Sequence, residues 1–410
     1  MALAIAALTL VLIVARPRGF GEPWTAASGA MVLLLTGVIG FHDVIAVIRS
    51  TADALLFLVG MMVLTWLAEQ AGVFDRVAEE VAHRAAGSGP RLFIFIFVLA
   101  AVVTALLSLD VTILVLTPIV FALATRRGLD ALPFMFACTF VANTGSLILP
   151  VSNLTNLLVY HQLGLGFARF AARMWLPNLT AVAINLGVFL WIFRERIPRH
   201  FDTTIDELPP VDWWFRATLL GLGATLVALF GLGLIHQPLA IASLTSSAFL
   251  NGVGIMTGRV RTADTVRAVS WSLFVFVIGM FLVVRGIEHA WLDHLDISTP
   301  HRRLPALLVA VAGTAIGSNL VNNVPMTLLA LPIIARADGA AREGLAYGAL
   351  VGANIGPTLT TYGSLATMLW LTLVRKRGMD VSTTEYMRVA LLTAPPVLVG
   401  TTLALWLVLR

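Results

Sequence analysis

The chain has 410 residues, 59% of them hydrophobic and 12% charged, with a mean hydropathy of +0.92 and a formal net charge of +5. This composition excludes a soluble globular enzyme and leaves a polytopic membrane protein, because many runs reach the roughly 18 residues that span about 30 Å of hydrocarbon. The basic excess sits singly or in short groups at the ends of apolar runs, where it serves topology, so no nucleic-acid partner is expected.

In chain order the predicted spans cover 2–15, 24–40, 52–70, 92–125, a broken segment at 131–165, then 174–193, 214–235 and 238–257. The second half gives 271–289, 304–335, a broken segment at 343–374, and 386–409. The first run lacks a basic leader, and Arg16-Pro17-Arg18 follows its apolar part, so it reads as a retained helix and not a signal peptide. With both broken segments taken as re-entrant hairpins, the fold class is an all-α polytopic membrane protein of two inverted repeats, with about ten transmembrane helices plus the two hairpins. Residues 1–193 form the amino-terminal half, 194–213 a polar cytoplasmic linker, and 214–410 the carboxy-terminal half. The segment 74–90 mixes charge with apolar residues and reads as an interfacial helix. With the amino terminus outside, 18 of the 27 Lys and Arg fall on the cytoplasmic side, a two-to-one bias that supports this orientation.

The halves are related by sequence. Ala142-Asn143-x-Gly145 recurs as Ala353-Asn354-x-Gly356, and Ser152-Asn153 falls opposite Gly363-Ser364, both at an offset of 211. Phe57-Leu58-Val59-Gly60-Met61 matches Phe276-Val277-Ile278-Gly279-Met280 at an offset of 219, which also brings Glu69 onto Glu288. Irregular backbone is tolerated in a bilayer only where it is buried in protein or lines a cavity, and paired breaks in two halves point to a transporter's binding site.

The 34 residues between Arg91 and Arg126 carry one charged side chain, Asp110. As one straight helix they would extend about 51 Å, too long for a bilayer, so a break is expected near Ser108-Leu109-Asp110. The partner stretch, 304–335, has no charge but carries Asn319, Asn322 and Asn323 at the corresponding depth. An intramembrane acid marks an ion or proton route, or else it caps the broken helix. Asn143, Ser152, Asn153 and Thr155 in one half, and Asn354, Thr358, Thr361, Ser364 and Thr367 in the other, are neutral donors and acceptors beside half-helix ends. They suit a polyhydroxyl solute or an oxyanion held by helix dipoles, or they act as helix-helix glue.

Glu69 and Glu288 lie near helix ends, where snorkelling or capping is expected, and Arg285 is spaced to pair with Glu288. The eight histidines show no metal spacing, and the single Cys138 reads as packing, so neither a metal site nor a cofactor is expected. No H-E-x-x-H, G-x-S-x-G or Walker loop is present, which argues against an enzyme and leaves a gradient or a partner as the energy source.

VSNLTNLLV (151–159), SNLVNNVPMTLLAL (318–331) and GPTLTTYGSLATMLWL (356–371) resemble the bacterial arsenite and antimonite permeases, the ArsB family of the ion transporter superfamily. VIGMFLVVRGI (277–287) and LTPIV (116–120), preceded by Asp110, are similar too, so the resemblance covers nearly the whole chain. It implies a secondary transporter of the bacterial inner membrane that exports arsenite or antimonite, as the neutral trihydroxide, in exchange for protons, in some members with a cytoplasmic arsenite-stimulated ATPase subunit. Asp110 is then the proton-coupling residue, and Asn143, Ser152, Asn153, Thr155, Asn322, Asn323, Asn354, Thr358 and Ser364 are the substrate-binding set. Familiar members carry acids where this chain has Asn143 and Asn354, and a lysine where it has Thr358, which leaves Asp110 the sole acid at depth. The same scaffold could carry another oxyanion, a carboxylate, or Na⁺ in exchange for H⁺; no lysine or arginine stands in either broken segment's polar stretch to hold a dianion, which counts against a carboxylate.

Overall fold

With no water in the bilayer core, each peptide group must find its partner within the protein, and the apolar runs accordingly fold as helices. The computed structural model describes residues 1–15, 21–164, 166–201, 211–235, 237–290 and 300–410. Arg16, Arg18, residues 202–210 of the expected linker, His236 and His294 lie outside the described residues.

The amino-terminal half contains α1 (Ala2–Ala15), α2 (Glu22–Leu35), α3 (Phe41–Gln70), α4 (Val73–Arg84), α5 (Gly89–Leu106), α6 (Leu109–Val111), α7 (Thr117–Arg126), α8 (Leu132–Thr144), α9 (Leu154–Leu163) and α10 (Phe167–Ile192). A single π-helical stretch, Thr112–Leu116, joins α6 to α7. The carboxy-terminal half contains α11 (Trp213–Leu234), α12 (Leu239–Met256), α13 (Thr262–Ala268), α14 (Trp271–Ala290), α15 (Arg303–Val321), α16 (Asn323–Arg336), α17 (Gly339–Ile355), α18 (Leu365–Lys376) and α19 (Thr383–Leu409). Among the described residues, nine helical stretches are long and apolar enough to cross a membrane, and α1, α8 and α16 are shorter apolar helices. The stretch 41–51, charged and expected to lie outside the spans, continues α3 as one 30-residue helix.

Helix α10 serves as a ruler across the bundle. Phe193, at its end, meets Phe136 of α8 with ring centroids 5.8 Å apart, while Phe170, near its start, meets Tyr160 of α9 at 6.1 Å. The intervening 23 residues rise about 34 Å, so α8 and α9 together traverse the bundle. The pair α17 and α18 traverses it in the opposite sense, from Glu343, 3.9 Å from Arg173 of α10, to Trp370, whose ring lies 5.4 Å from Phe136.

The long apolar runs do something else. Gly344 lies against Arg303 and Ala306, and Gly352 against Val311 and Thr314, so α15 and α17 run parallel from the same level. Helix α16 must therefore return the chain to where α15 began. In the first half, Phe93 meets Phe134 at 5.5 Å, placing the starts of α5 and α8 at one level, and Arg126 and Arg127 at the end of α7 reach back to Glu79 of α4 at 2.6 and 2.7 Å. The hairpins are thus at 89–126 and 303–336, and the segments 131–165 and 343–374, expected as hairpins, are broken passes. A 34-residue apolar run with a break permits either geometry; the parallel packing on the following helix and the Glu79 anchor select the fold-back. Counted by sequence on the expected orientation, Arg126 and Arg127 would join the cytoplasmic group while Arg336 and Arg342 would leave it, so the number stays at 18 of 27.

The halves also exchange helices. Helix α2 packs on α14 with Gly279 against Ala26, and α12 packs on α3 with Gly60 against Ser243, closely enough that neither glycine has room for a β-carbon. Arg285 pairs with Glu288 at 2.8 Å, as their spacing predicts, and also reaches Asp43 of α3 at 3.3 Å.

Candidate functional site

Breaking a helix in mid-bundle leaves donors and acceptors that must be satisfied locally. Asn153 caps α9 by accepting from the backbone N–H of Thr155 at 3.2 Å, and Ser364, its match in the repeat, caps α18 by accepting from that of Thr367 at 3.1 Å. Where the breaks meet, Asn354 joins them. Its Oδ1 accepts from Nδ2 of Asn153 at 2.8 Å and from the Thr155 hydroxyl at 2.6 Å, and its Nδ2 donates to Oδ1 of Asn156 at 2.7 Å. Asn143 Nδ2 donates to the Thr139 carbonyl at 3.1 Å and to the hydroxyl of Thr367 at 3.3 Å; that hydroxyl lies 2.9 Å from Ser364 Oγ. The Asn143 Oδ1 atom is buried without a partner.

Asn143, Asn153, Thr155, Asn354 and Ser364 therefore gather in one buried network. The other expected residues are placed elsewhere. Ser152 donates to the Ala105 carbonyl at 2.6 Å, tying the first break to the end of α5. Thr358 donates to its own turn, at the Ile355 carbonyl, at 2.6 Å. Asn322 and Asn323 hold the second hairpin tip to the second break, through Asn322 Nδ2 to the Tyr362 carbonyl at 3.3 Å and the Asn323 backbone N–H to the Gly363 carbonyl at 2.9 Å. Asn322 has φ +76°, a left-handed conformation that costs a side-chain-bearing residue energy and is held by these bonds.

The sequence reading missed Asn156 and Ser146. Asn156 donates to the carbonyls of Ser146 at 2.6 Å and Leu149 at 2.9 Å, closing the loop of the first break. Its position three residues after Asn153, on the same helical face, was the available signal.

Asp110 stands apart, at the tip of the first hairpin, where Ser108 accepts from the Val111 backbone N–H at 3.4 Å. It lines a cavity of about 570 Å³ between α2, α3, α14, α18 and the hairpin tip. Its polar lining comes from Glu22, Thr65, Glu69, Ser108, Asp110, Ser270 and Ser272. Among the described residues no cation pairs with Asp110, and the Thr65 hydroxyl is buried without a partner. Val151 and Leu365, chain neighbours of Ser152 and Ser364, also line this space, so the cavity abuts both breaks although none of the nine expected substrate residues lines it. Cys138 is fully buried in the apolar core and brings no thiol to the cavity. No group of three His, Cys, Asp or Glu among the described residues could hold a metal ion.

The ArsB family, described as arsenical pump membrane protein, matches residues 1–409. The arsenical pump membrane protein of Escherichia coli (strain K12) is 32% identical over 98% of this chain and 97% of its own length, as is that of Yersinia enterocolitica. The putative arsenical pump membrane protein of Bacillus subtilis (strain 168) is 23% identical over 95% of each chain. Among solved structures, the Alcanivorax borkumensis YdaH transporter superimposes with a TM-score of 0.58 at 16% identity, covering 99% of this chain and 96% of that one, a likeness of fold.

Proposed function

Because the chain belongs to the arsenical pump membrane protein family, we propose that it exports arsenite or antimonite across the bacterial inner membrane in exchange for protons, with Asp110 as the proton-coupling residue. The observation that carries the reading is the carboxylate of Asp110 at a hairpin tip, facing a cavity of about 570 Å³ with no cation paired to it among the described residues. An ionisable group so placed is costly unless it serves an ion route. Trivalent arsenic in neutral water is a trihydroxide, a solute that offers O–H donors and accepts in return. Ser364, Asn153 and Asn354, with Asn143 and Thr155, are the neutral partners gathered at the two breaks that the cavity abuts, beside two helix amino termini. Ser152, Thr358, Asn322 and Asn323 act indirectly, by holding the breaks and hairpin tips in place.

The test is arsenite flux in proteoliposomes containing this protein alone, with and without an imposed pH gradient. Movement that follows the gradient and is lost in Asp110→Asn supports the reading. Gradient-driven movement that persists in Asp110→Asn removes Asp110 from coupling. Flux that appears only when a cytoplasmic ATPase subunit is added would assign the drive to that partner, and absence of flux with either would make the cargo wrong.

A further inference from the structure

The open cavity has a closed counterpart. The offsets that superimpose the halves carry Thr65 onto Val284 (219, as for Gly60 and Gly279), Asp110 onto Val324 and Leu114 onto Leu328 (214, as for Pro118 and Pro332), and Leu369 onto Leu158 (211, as for Asn143 and Asn354). The first of each pair lines the cavity. The second of each pair packs in one buried apolar cluster, where Leu158 is 5%, Val284 5%, Val324 5% and Leu328 1% exposed. The protein is thus open on one side of the breaks and shut at the matching place on the other. The shut side displays what the open side must resemble once closed, and its chemistry differs at two positions. Valines stand where Thr65 and Asp110 would be.

From this asymmetry we infer that Asp110 controls closure of its own cavity, which can collapse only when the carboxylate carries a proton or accepts hydrogen bonds from the trihydroxide cargo. The inference rests on the proposed exchange of arsenite for protons. A carboxylate is an acceptor only, and burying its charge among leucines with no cation and at most neutral hydroxyls such as that of Thr65 beside it is costly. A proton supplies the remedy by forming the O–H of the acid; the cargo supplies it through its own hydroxyl donors and leaves without transferring a proton. Proton and cargo then satisfy one group alternately, and an empty, ionised carrier stays open. This makes the exchange obligatory. The other charged groups of the cavity are Glu22 on α2 and Glu69 on α3, with Asp75 of α4 next to Glu69; α14 and α18 contribute only uncharged residues. None of these offers Asp110 a cation.

The test uses the full chain in proteoliposomes, in a Cys138→Ala background, with a water-soluble maleimide on both faces. Leu369→Cys reports the cavity and Leu158→Cys the cluster. Each labelling rate is divided by that of the same protein carrying Asp110→Asn, which cancels the reactivity of the thiol itself. The ratio at position 369 should rise at least about fivefold from acid to alkaline pH while that at 158 falls, and arsenite added at alkaline pH should reverse both. Glu69→Gln should leave these responses in place. Ratios that are flat with pH overturn the inference even if Asp110→Asn abolishes coupling, whereas gradient-driven arsenite flux retained in Asp110→Asn overturns the proposed function and the inference with it. Val324→Asp is the converse probe: it should make position 158 more reactive at alkaline than at acid pH, and an unchanged rate there counts against closure control by a carboxylate.

Discussion

At the scale of single residues, the two breaks are held together by Asn354 more than by any other side chain, since three of its bonds cross between them. Alanine there would leave Asn156 Oδ1 unpaired and remove the acceptor of Asn153 and Thr155. Asn354→Ala should cost about 2–4 kcal/mol, because a buried polar group left without a partner costs about 1–3 kcal/mol. Unfolding in detergent micelles measures it, and wild-type stability would mean that the bonds are replaced locally. Ser152 and Ser364, one at each break but not equivalent in the repeat, where Ser152 falls opposite Gly363, should separate. Ser152→Ala frees the Ala105 carbonyl and should lower stability while sparing arsenite affinity; Ser364→Ala should weaken affinity more than Cys138→Ala does. Equal affinities for the Ser364 and Cys138 variants would move the cargo away from the second break. The residue types of the network were legible because amides and hydroxyls stand out in an apolar run. Their pairing was not, since sequence cannot say that Asn354 faces Asn153 and not Asn143.

Among elements, the second hairpin depends on glycines spaced four apart on α17. A β-carbon at Gly348 would lie 2.7 Å from the Leu307 carbonyl oxygen, closer than real contacts allow, so α15 and α17 approach only because that position is bare. Gly348→Ala should lower the unfolding temperature, whereas Gly313→Ala, with open space around it, should leave it unchanged or raise it slightly through helix propensity. If both substitutions raised stability, close packing of the pair would not be what fixes the fold-back. Outside the membrane, Asp212 caps α11: its carboxylate accepts from the Phe215 backbone N–H at 2.8 Å, which together with nearby Arg259 holds its pKa below the ordinary carboxylate value. A depressed folded pKa means stabilisation present above the unfolded value and lost as pH falls through the folded one. Asp212→Ala should therefore destabilise at neutral pH and converge on wild type in acid. The break at Ser108 was legible from length alone. The reversal there was not, because basic residues flank both ends of the run and the deciding contacts, α5 on α8 and Arg127 on Glu79, are tertiary.

For the whole molecule, the exchange of α2 and α12 between halves and the opposed directions of the two broken passes make the repeats inverted, each half presenting its hairpin from a different face. That arrangement gives every segment a side. Arg84 on α4 and Thr125 on α7 should lie on one face, because α5 and α7 are arms of a single hairpin whose far end returns to Glu79. His161 at the end of α9 should lie on the other; its Nε2 is 3.6 Å from Asp53, which sits 17 residues, or about 25 Å, along α3 from the end that leads into α4. Single cysteines at 84, 125 and 161, placed in a Cys138→Ala background and treated with an impermeant maleimide in oriented vesicles, decide the matter. Shared protection of 84 and 125, opposite to 161, is the expected pattern. Opposite labelling of 84 and 125 would restore 92–125 as a single pass, remove the hairpin tip at Asp110, and with it the reason for the cavity to end there.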